Sequence, residues 1–125
     1  MKIYEYIKTL PPNADRYFFG TRSEALRAIA VYEKELPDEA ALGGDIKTRS
    51  VRFSILVHWN NRSDDTKKAA DELYNALKST QNVCLDGLRI CFVQLENNAP
   101  IDVGTDSGGI FERVINCRIY YERND

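Results

Sequence analysis

Apolar and polar residues alternate from Val51 to Trp59, where Val51, Phe53, Ile55, Val57 and Trp59 are separated by Arg52, Ser54, Leu56 and His58. Side chains of an extended chain point to opposite faces in turn, so this period of two predicts a half-buried strand. The pattern breaks at Asn60-Asn61-Arg62-Ser63, a turn that also offers capping oxygens. From Asp64 to Lys78 the period becomes helical, with Ala69, Ala70, Leu73, Ala76 and Leu77 forming one apolar stripe. Asp64 and Asp65 in its first turn and Lys78 at its end suit the helix dipole. Val83-Cys84-Leu85, Asp86-Gly87 and Leu88 to Leu95 predict a hairpin, because Asp-Gly accepts the positive φ of a tight turn. Asn97 to Gly109, with three glycines, predicts a loop. Ile110 to Tyr121 predicts a final strand carrying Ile115, Cys117, Ile119 and Tyr121 on one face.

The first half of the chain is patterned less sharply. Ile3, Tyr6, Ile7 and Leu10 predict a short amphipathic helix over Met1–Leu10, which Pro11-Pro12 stops. Tyr17-Phe18-Phe19-Gly20 fits a short strand or a tucked loop. Ser23 to Ala30 has helical character with Ser23 as a cap, while Ala28 to Tyr32 fits a strand equally well. Leu36 to Thr48, with Pro37, Gly43 and Gly44 among charges, has the composition of a loop. The order strand, helix, hairpin, loop, strand gives an α+β domain: an antiparallel or mixed sheet with helices packed on one face. There is no internal repeat.

A length of 125 residues corresponds to one domain, spanning 1–125, and is enough to bury roughly two thirds of the unfolded surface. Hydrophobic residues make up 43% and charged residues 29%, which excludes disorder along the whole chain. The 17 basic and 19 acidic residues are interleaved and give a net charge of −2. Without clustered Lys and Arg, neither specific nucleic-acid binding nor a polybasic membrane patch is expected. No stretch reaches the ~20 apolar residues of a membrane span. Lys2, Glu5 and Lys8 interrupt the N-terminus, so export is not expected and the protein should be made and kept in a cytoplasm. Cys84, Cys91 and Cys117 form no CxxC pair, and their apolar or alternating surroundings predict three buried thiols.

Chemistry is sparse. Gly104-Thr105-Asp106-Ser107-Gly108-Gly109 contains Asp-Ser-Gly-Gly, which is similar to the nucleophile loop of chymotrypsin-like serine proteases. That reaction needs a histidine base on the serine and a carboxylate behind it. His58, the only histidine, lies in a strand beside Trp59, and Thr105 stands where that motif has glycine. A P-loop is excluded because no lysine follows and a strand, not a helix, comes next. His58 alternates with the apolar face and is expected to face solvent or a neighbouring subunit. No catalytic, cofactor-binding or metal-binding residue is assigned, and no cofactor is expected. Aromatics reach 10% with seven tyrosines, a hint of self-association, since tyrosine is enriched at interfaces.

From Val51 to Arg123 the chain resembles the minor capsid and tail-terminator families of long-tailed bacteriophages and prophages. The resemblance rests on the strand ending at Trp59, then Ala69-Ala70 and Leu73-Tyr74-Asn75-Ala76-Leu77, then Val83 and the Asp86-Gly87 turn. It continues through Gln94-Leu95-Glu96, then Pro100, Gly104, Asp106, Gly109 and Phe111, into Ile119-Tyr120-Tyr121-Glu122-Arg123. Pro11-Pro12-Asn13-Ala14-Asp15 also looks like the start of such a protein, whereas Thr21 to Thr48 carries no matching feature.

The resemblance implies a non-enzymatic subunit of a ring, commonly hexameric, at the head-proximal end of the tail. Such a ring stops tube growth and joins the tail to the head. The implied partners are further copies of the chain, the tail tube protein and a head-completion protein. Assembly would take place in the host cytoplasm, and the protein would end in the tail or neck of the virion. The candidate assembly loop carries Asn97, Asp102, Gly104, Asp106, Gly108 and Gly109, with Leu36–Thr48 as a second loop for a partner to order. A near-neutral charge is compatible with a lumen that DNA crosses without sticking. Another head–tail connector or minor capsid protein would share these features. A small α+β enzyme or ligand-binding domain would instead lose its activity on His58→Ala. A stand-alone interaction module would remain a monomer with a single partner.

Overall fold

Two long strands, β3 (Thr48–His58) and β7 (Phe111–Arg123), form the spine of the molecule and pair antiparallel in register from Thr48↔Glu122 to His58↔Glu112. Both alternate, so one face of the pair carries Val51, Phe53, Ile55 and Val57 together with Ile115, Cys117 and Ile119, all buried. The computed structural model describes residues 2–14, 16–19, 27–34 and 48–123. Around the spine stand β1 (Arg16–Phe19), β2 (Ala28–Lys34), β4 (Gln81–Leu85), β5 (Leu88–Leu95) and β6 (Ile101–Thr105). The sheet order is β1-β2-β3-β7-β5-β4, with β6 pairing β7 beyond the end of β5. Only β1 and β2 run parallel among the described strands, so the sheet is mixed and mainly antiparallel.

Helices α1 (Lys2–Lys8) and α2 (Ser63–Lys78) complete the α+β fold. Ile3 and Ile7 of α1 join Ala69, Ala70, Leu73 and Leu77 of α2 in one cluster with the inward residues of β2, β3, β5 and β7. Burying each large aliphatic side chain contributes roughly 1.5–3 kcal/mol. The predicted α2 stripe is buried apart from Ala76, which is half-buried, and Thr66 joins the covered side. The Thr66 hydroxyl avoids an unsatisfied burial by donating to the Arg62 carbonyl at 3.0 Å. The expected side-chain cap is not used: Arg62 holds the N-cap position without a capping bond. Asn60 instead accepts from the Arg62 N–H at 2.9 Å, tightening the turn just before the helix. At the other end the Thr80 hydroxyl donates to the Ala76 carbonyl and meets the Tyr6 hydroxyl at 3.0 Å, tying α2 to α1.

Several sequence expectations are resolved by pairing. Ala28 to Tyr32 is strand, because β2 pairs β3 from Ala28↔His58 to Lys34↔Arg52. Tyr17-Phe18-Phe19 is likewise strand, and Pro11-Pro12, joined by a cis peptide, ends α1 as expected. Ser23 and most of Leu36–Thr48 lie outside the described residues, Thr48 itself opening β3. The segment Asn97–Gly109 is not loop throughout: Ile101–Thr105 forms β6, a strand that glycine content concealed and that the free edge of β7 templates. Three buried thiols are also not found, since Cys84 is exposed and Cys91 half-exposed on the hairpin, and only Cys117 is buried. Burial pushes the Cys117 thiol up to about 12, with Glu96 adding to the shift, so it stays protonated.

The Asp86-Gly87 turn joins β4 to β5 between Leu85 and Leu88, with Gly87 at φ 85°. Nothing lies within 4 Å of where a Cβ would stand, so Gly87→Ala suffers backbone strain alone. A loss of about 1 kcal/mol, read from the urea midpoint, is the expected result.

Candidate functional site

The predicted assembly residues fall on β6 and its flanks, at the edge of the sheet. Asn97 opens the segment, its carbonyl accepting from the Tyr74 hydroxyl of α2 at 2.7 Å. Pro100 is buried, whereas all five residues of β6 are exposed. Asp102 accepts from the Gly104 N–H at 2.9 Å, and its second oxygen lies 3.6 Å from Arg113 of β7. Gly104 and Gly109 have φ of 85° and 82°, a region that a side chain disfavours.

Asp106 is the organising residue. One carboxylate oxygen accepts from the Gly108 N–H at 2.8 Å and the Ile110 N–H at 3.0 Å. The other lies 2.8 Å from Nε2 of His58. The Asp106 N–H donates to the Ile110 carbonyl and the Gly109 N–H to the Asp106 carbonyl, closing a tight turn from Asp106 to Ile110. The Ile110 N–H and then His58, with Gly108 adding, hold the Asp106 carboxyl at about 2, below its ordinary 3.8. Asn97 thus anchors one end of the segment, Asp102 and Gly104 lie on β6, and Asp106, Gly108 and Gly109 form the turn at the other end.

His58 was missed as part of the site. Of the two surroundings expected for it, solvent or a neighbouring subunit, solvent is overturned: it is 2% exposed and lies against Asp106. Alternation did place it on the face away from the helices. Alternation does not show that the turn after β6 folds back over that position. The arrangement also differs from that of a serine hydrolase, because the imidazole Nε2 addresses Asp106 while neighbouring Ser107 is exposed. Among the described residues no group of three or more His, Cys, Asp or Glu is placed to hold a metal ion. No helix among them is long and apolar enough to cross a membrane.

The sheet face opposite the helices carries the remaining features. Arg52 grips Glu96 through Nε and Nη2, both at 2.6 Å, bridging across β7. Phe92 stacks on Tyr120 with centroids 4.6 Å apart, and the Tyr120 hydroxyl donates to Gln94 at 3.1 Å. The large hydrophobic side chains left exposed among the described residues are Phe92 at 47%, Ile101 at 38% and Val103 at 48%. Register assigns Phe92 and Ile101 to this open face, opposite Tyr120 and Val114. Periodicity cannot identify such residues, since exposure depends on which sheet face the helices cover.

The fold and the site describe a small α+β structural domain with an exposed edge strand and apolar side chains on its open sheet face, surfaces of the kind protein interfaces use. The family model of bacteriophage tail terminator proteins matches residues 3–123, and the chain belongs to that family. It is thereby a structural protein of the phage tail, of a non-catalytic kind, and it interacts with other tail components. No curated protein matches the chain.

Proposed function

We propose that the protein closes into a ring, hexameric in the first instance, at the head-proximal end of the tail, where it stops growth of the tube and joins the tail to the head-completion protein. The observation that carries this reading is the family match over almost the whole chain, residues 3–123, which also supports treating 1–125 as one domain. A ring needs a heterologous interface whose rotation closes. The exposed Ile101 and Val103 of β6 and Phe92 on the open face supply apolar area for such contacts. In this reading Asn97, Asp102, Gly104, Asp106, Gly108 and Gly109 shape the assembly segment. The protein catalyses nothing, needs no cofactor, recognises no nucleic acid or membrane, assembles in the host cytoplasm and ends in the virion tail or neck.

The test is the mass in solution by light scattering over a concentration series, together with the length of tail tubes polymerised with and without the protein. The expected result is a closed oligomer that forms with rising concentration, or on tube ends, and halts elongation. A monomer at every concentration that leaves tube length unchanged overturns the reading. Binding to the head-completion protein without any effect on tubes would move it to another connector role.

A further inference from the structure

β6 is the described strand that contributes nothing to the hydrophobic core. None of its five residues enters the hydrophobic cluster, all five are exposed, and its substantial contacts are with β7 alone. Its pairing is also irregular, running Ile101↔Val114 and Asp102↔Arg113, then shifting before Thr105↔Phe111. What holds the segment sits at its ends. At one end Pro100 is buried and the Asn97 carbonyl accepts from Tyr74. At the other, Asp106 gathers Gly108, Ile110 and His58 onto one carboxylate.

We propose that β6 and the turn through Ile110 form a strap that releases from β7 as a unit while the rest of the sheet stays folded, with the Asp106–His58 contact as its latch. Burial sets how firmly the strap is held. Releasing a strand whose residues are all exposed gives up little apolar burial, so hydrogen bonds and the latch dominate its hold. Asp102 contributes little, because its 3.6 Å ion pair with Arg113 is 53% exposed on the aspartate side. Release exposes the β7 edge over Phe111–Val114, while its opposite edge stays paired to β3 from Leu56 to His58 and onward. The strap therefore governs whether that edge of β7 is paired within the molecule or left open.

Hydrogen exchange of the full chain, followed by mass spectrometry at increasing urea below the unfolding transition, tests this. In the wild-type protein, residues 101–110 should exchange at least about tenfold faster than residues 115–119 and respond weakly to urea. Phe53→Leu, which weakens the core that the open and closed states share, should speed exchange at 115–119 about tenfold and leave the strap unchanged. Asp106→Ala should speed exchange at residues 101–105, away from the Gly108 and Ile110 N–H groups that lose their acceptor, about tenfold or more, because it removes the contact with His58. Wild-type strap exchange that follows the urea dependence of the core overturns the unit. Strap exchange that rises with the core in Phe53→Leu does the same. Unchanged exchange at residues 101–105 in Asp106→Ala overturns the latch.

Discussion

Phe53→Ala is expected to cost about 3–5 kcal/mol, the range for emptying a fully buried phenylalanine site. Phe53 is fully buried in the middle of β3, on the side covered by the helices, with Ile55 beside it and Cys117 opposite. β3 is hydrogen-bonded on both edges, to β2 and to β7, so the backbone cannot move inward to fill the void. Interiors are packed near crystal density, and a space the size of a phenyl ring leaves its lining without contacts. A domain of this size has about 5–15 kcal/mol of stability in total, so one substitution removes a large share of it. With a urea dependence of about 2 kcal/mol per molar, the midpoint should fall by roughly 2 M. Phe53→Leu, which refills most of the volume, should cost under about 1.5 kcal/mol. Similar midpoints for the alanine and leucine variants would show that this site is not the packed centre described.

The second large effect concerns acid. Asp106 has a folded-state pKa of about 2 against an ordinary 3.8, first because the Ile110 N–H donates to its carboxylate and next because His58 does. A carboxyl with a depressed folded pKa binds fewer protons when folded than when unfolded. Its contribution is therefore fully present above the ordinary 3.8, declines as the pH falls below it, and is gone once the pH is below about 2. Asp106→Asn keeps an acceptor for the turn but removes the titration and the charge facing His58. The variant should unfold at lower urea than the wild type at neutral pH. The gap should hold steady down to about pH 4 and then narrow as the pH approaches 2. Other carboxyls titrate in both proteins and cancel in the difference. A gap of constant size between pH 5 and 2 would contradict the assigned role of the carboxylate.

Much of the sheet was legible because its causes are local. The alternation from Val51 to Val57 and from Ile115 to Tyr121 predicted two strands with one covered face, and the helical stripe predicted the cover. Asp86-Gly87 predicted the hairpin turn, since few residue pairs accept the φ angles there. The first half was ambiguous for the same physical reason. Ala28-Ile29-Ala30-Val31-Tyr32 is apolar on both sides of the chain, which fits a central strand and a buried helix alike. Only the β3 edge, brought up by folding, makes it a strand. The exposure of Cys84 arose in the same way: its residue type favours burial, but β4 is an edge strand whose outward side is left to solvent.

The candidate site divides along the same line. Its residues, Asn97 through Gly109, were picked out as a glycine-bearing loop, and the family by motifs spread from Val51 to Arg123. That Asp106 folds over His58, across 48 residues of chain, was not readable, because such a contact depends on where the edge of the sheet lies. The sequence by itself determined the periodicities, the α2 register and the hairpin turn, because each is written in residues near one another along the chain, and its motifs from Val51 to Arg123 pointed to the family. Tertiary structure alone decided that β6 is a strand, that His58 is buried, and that Phe92, Ile101 and Val103 remain exposed. Strand edges and covered faces exist only once distant segments have been brought together.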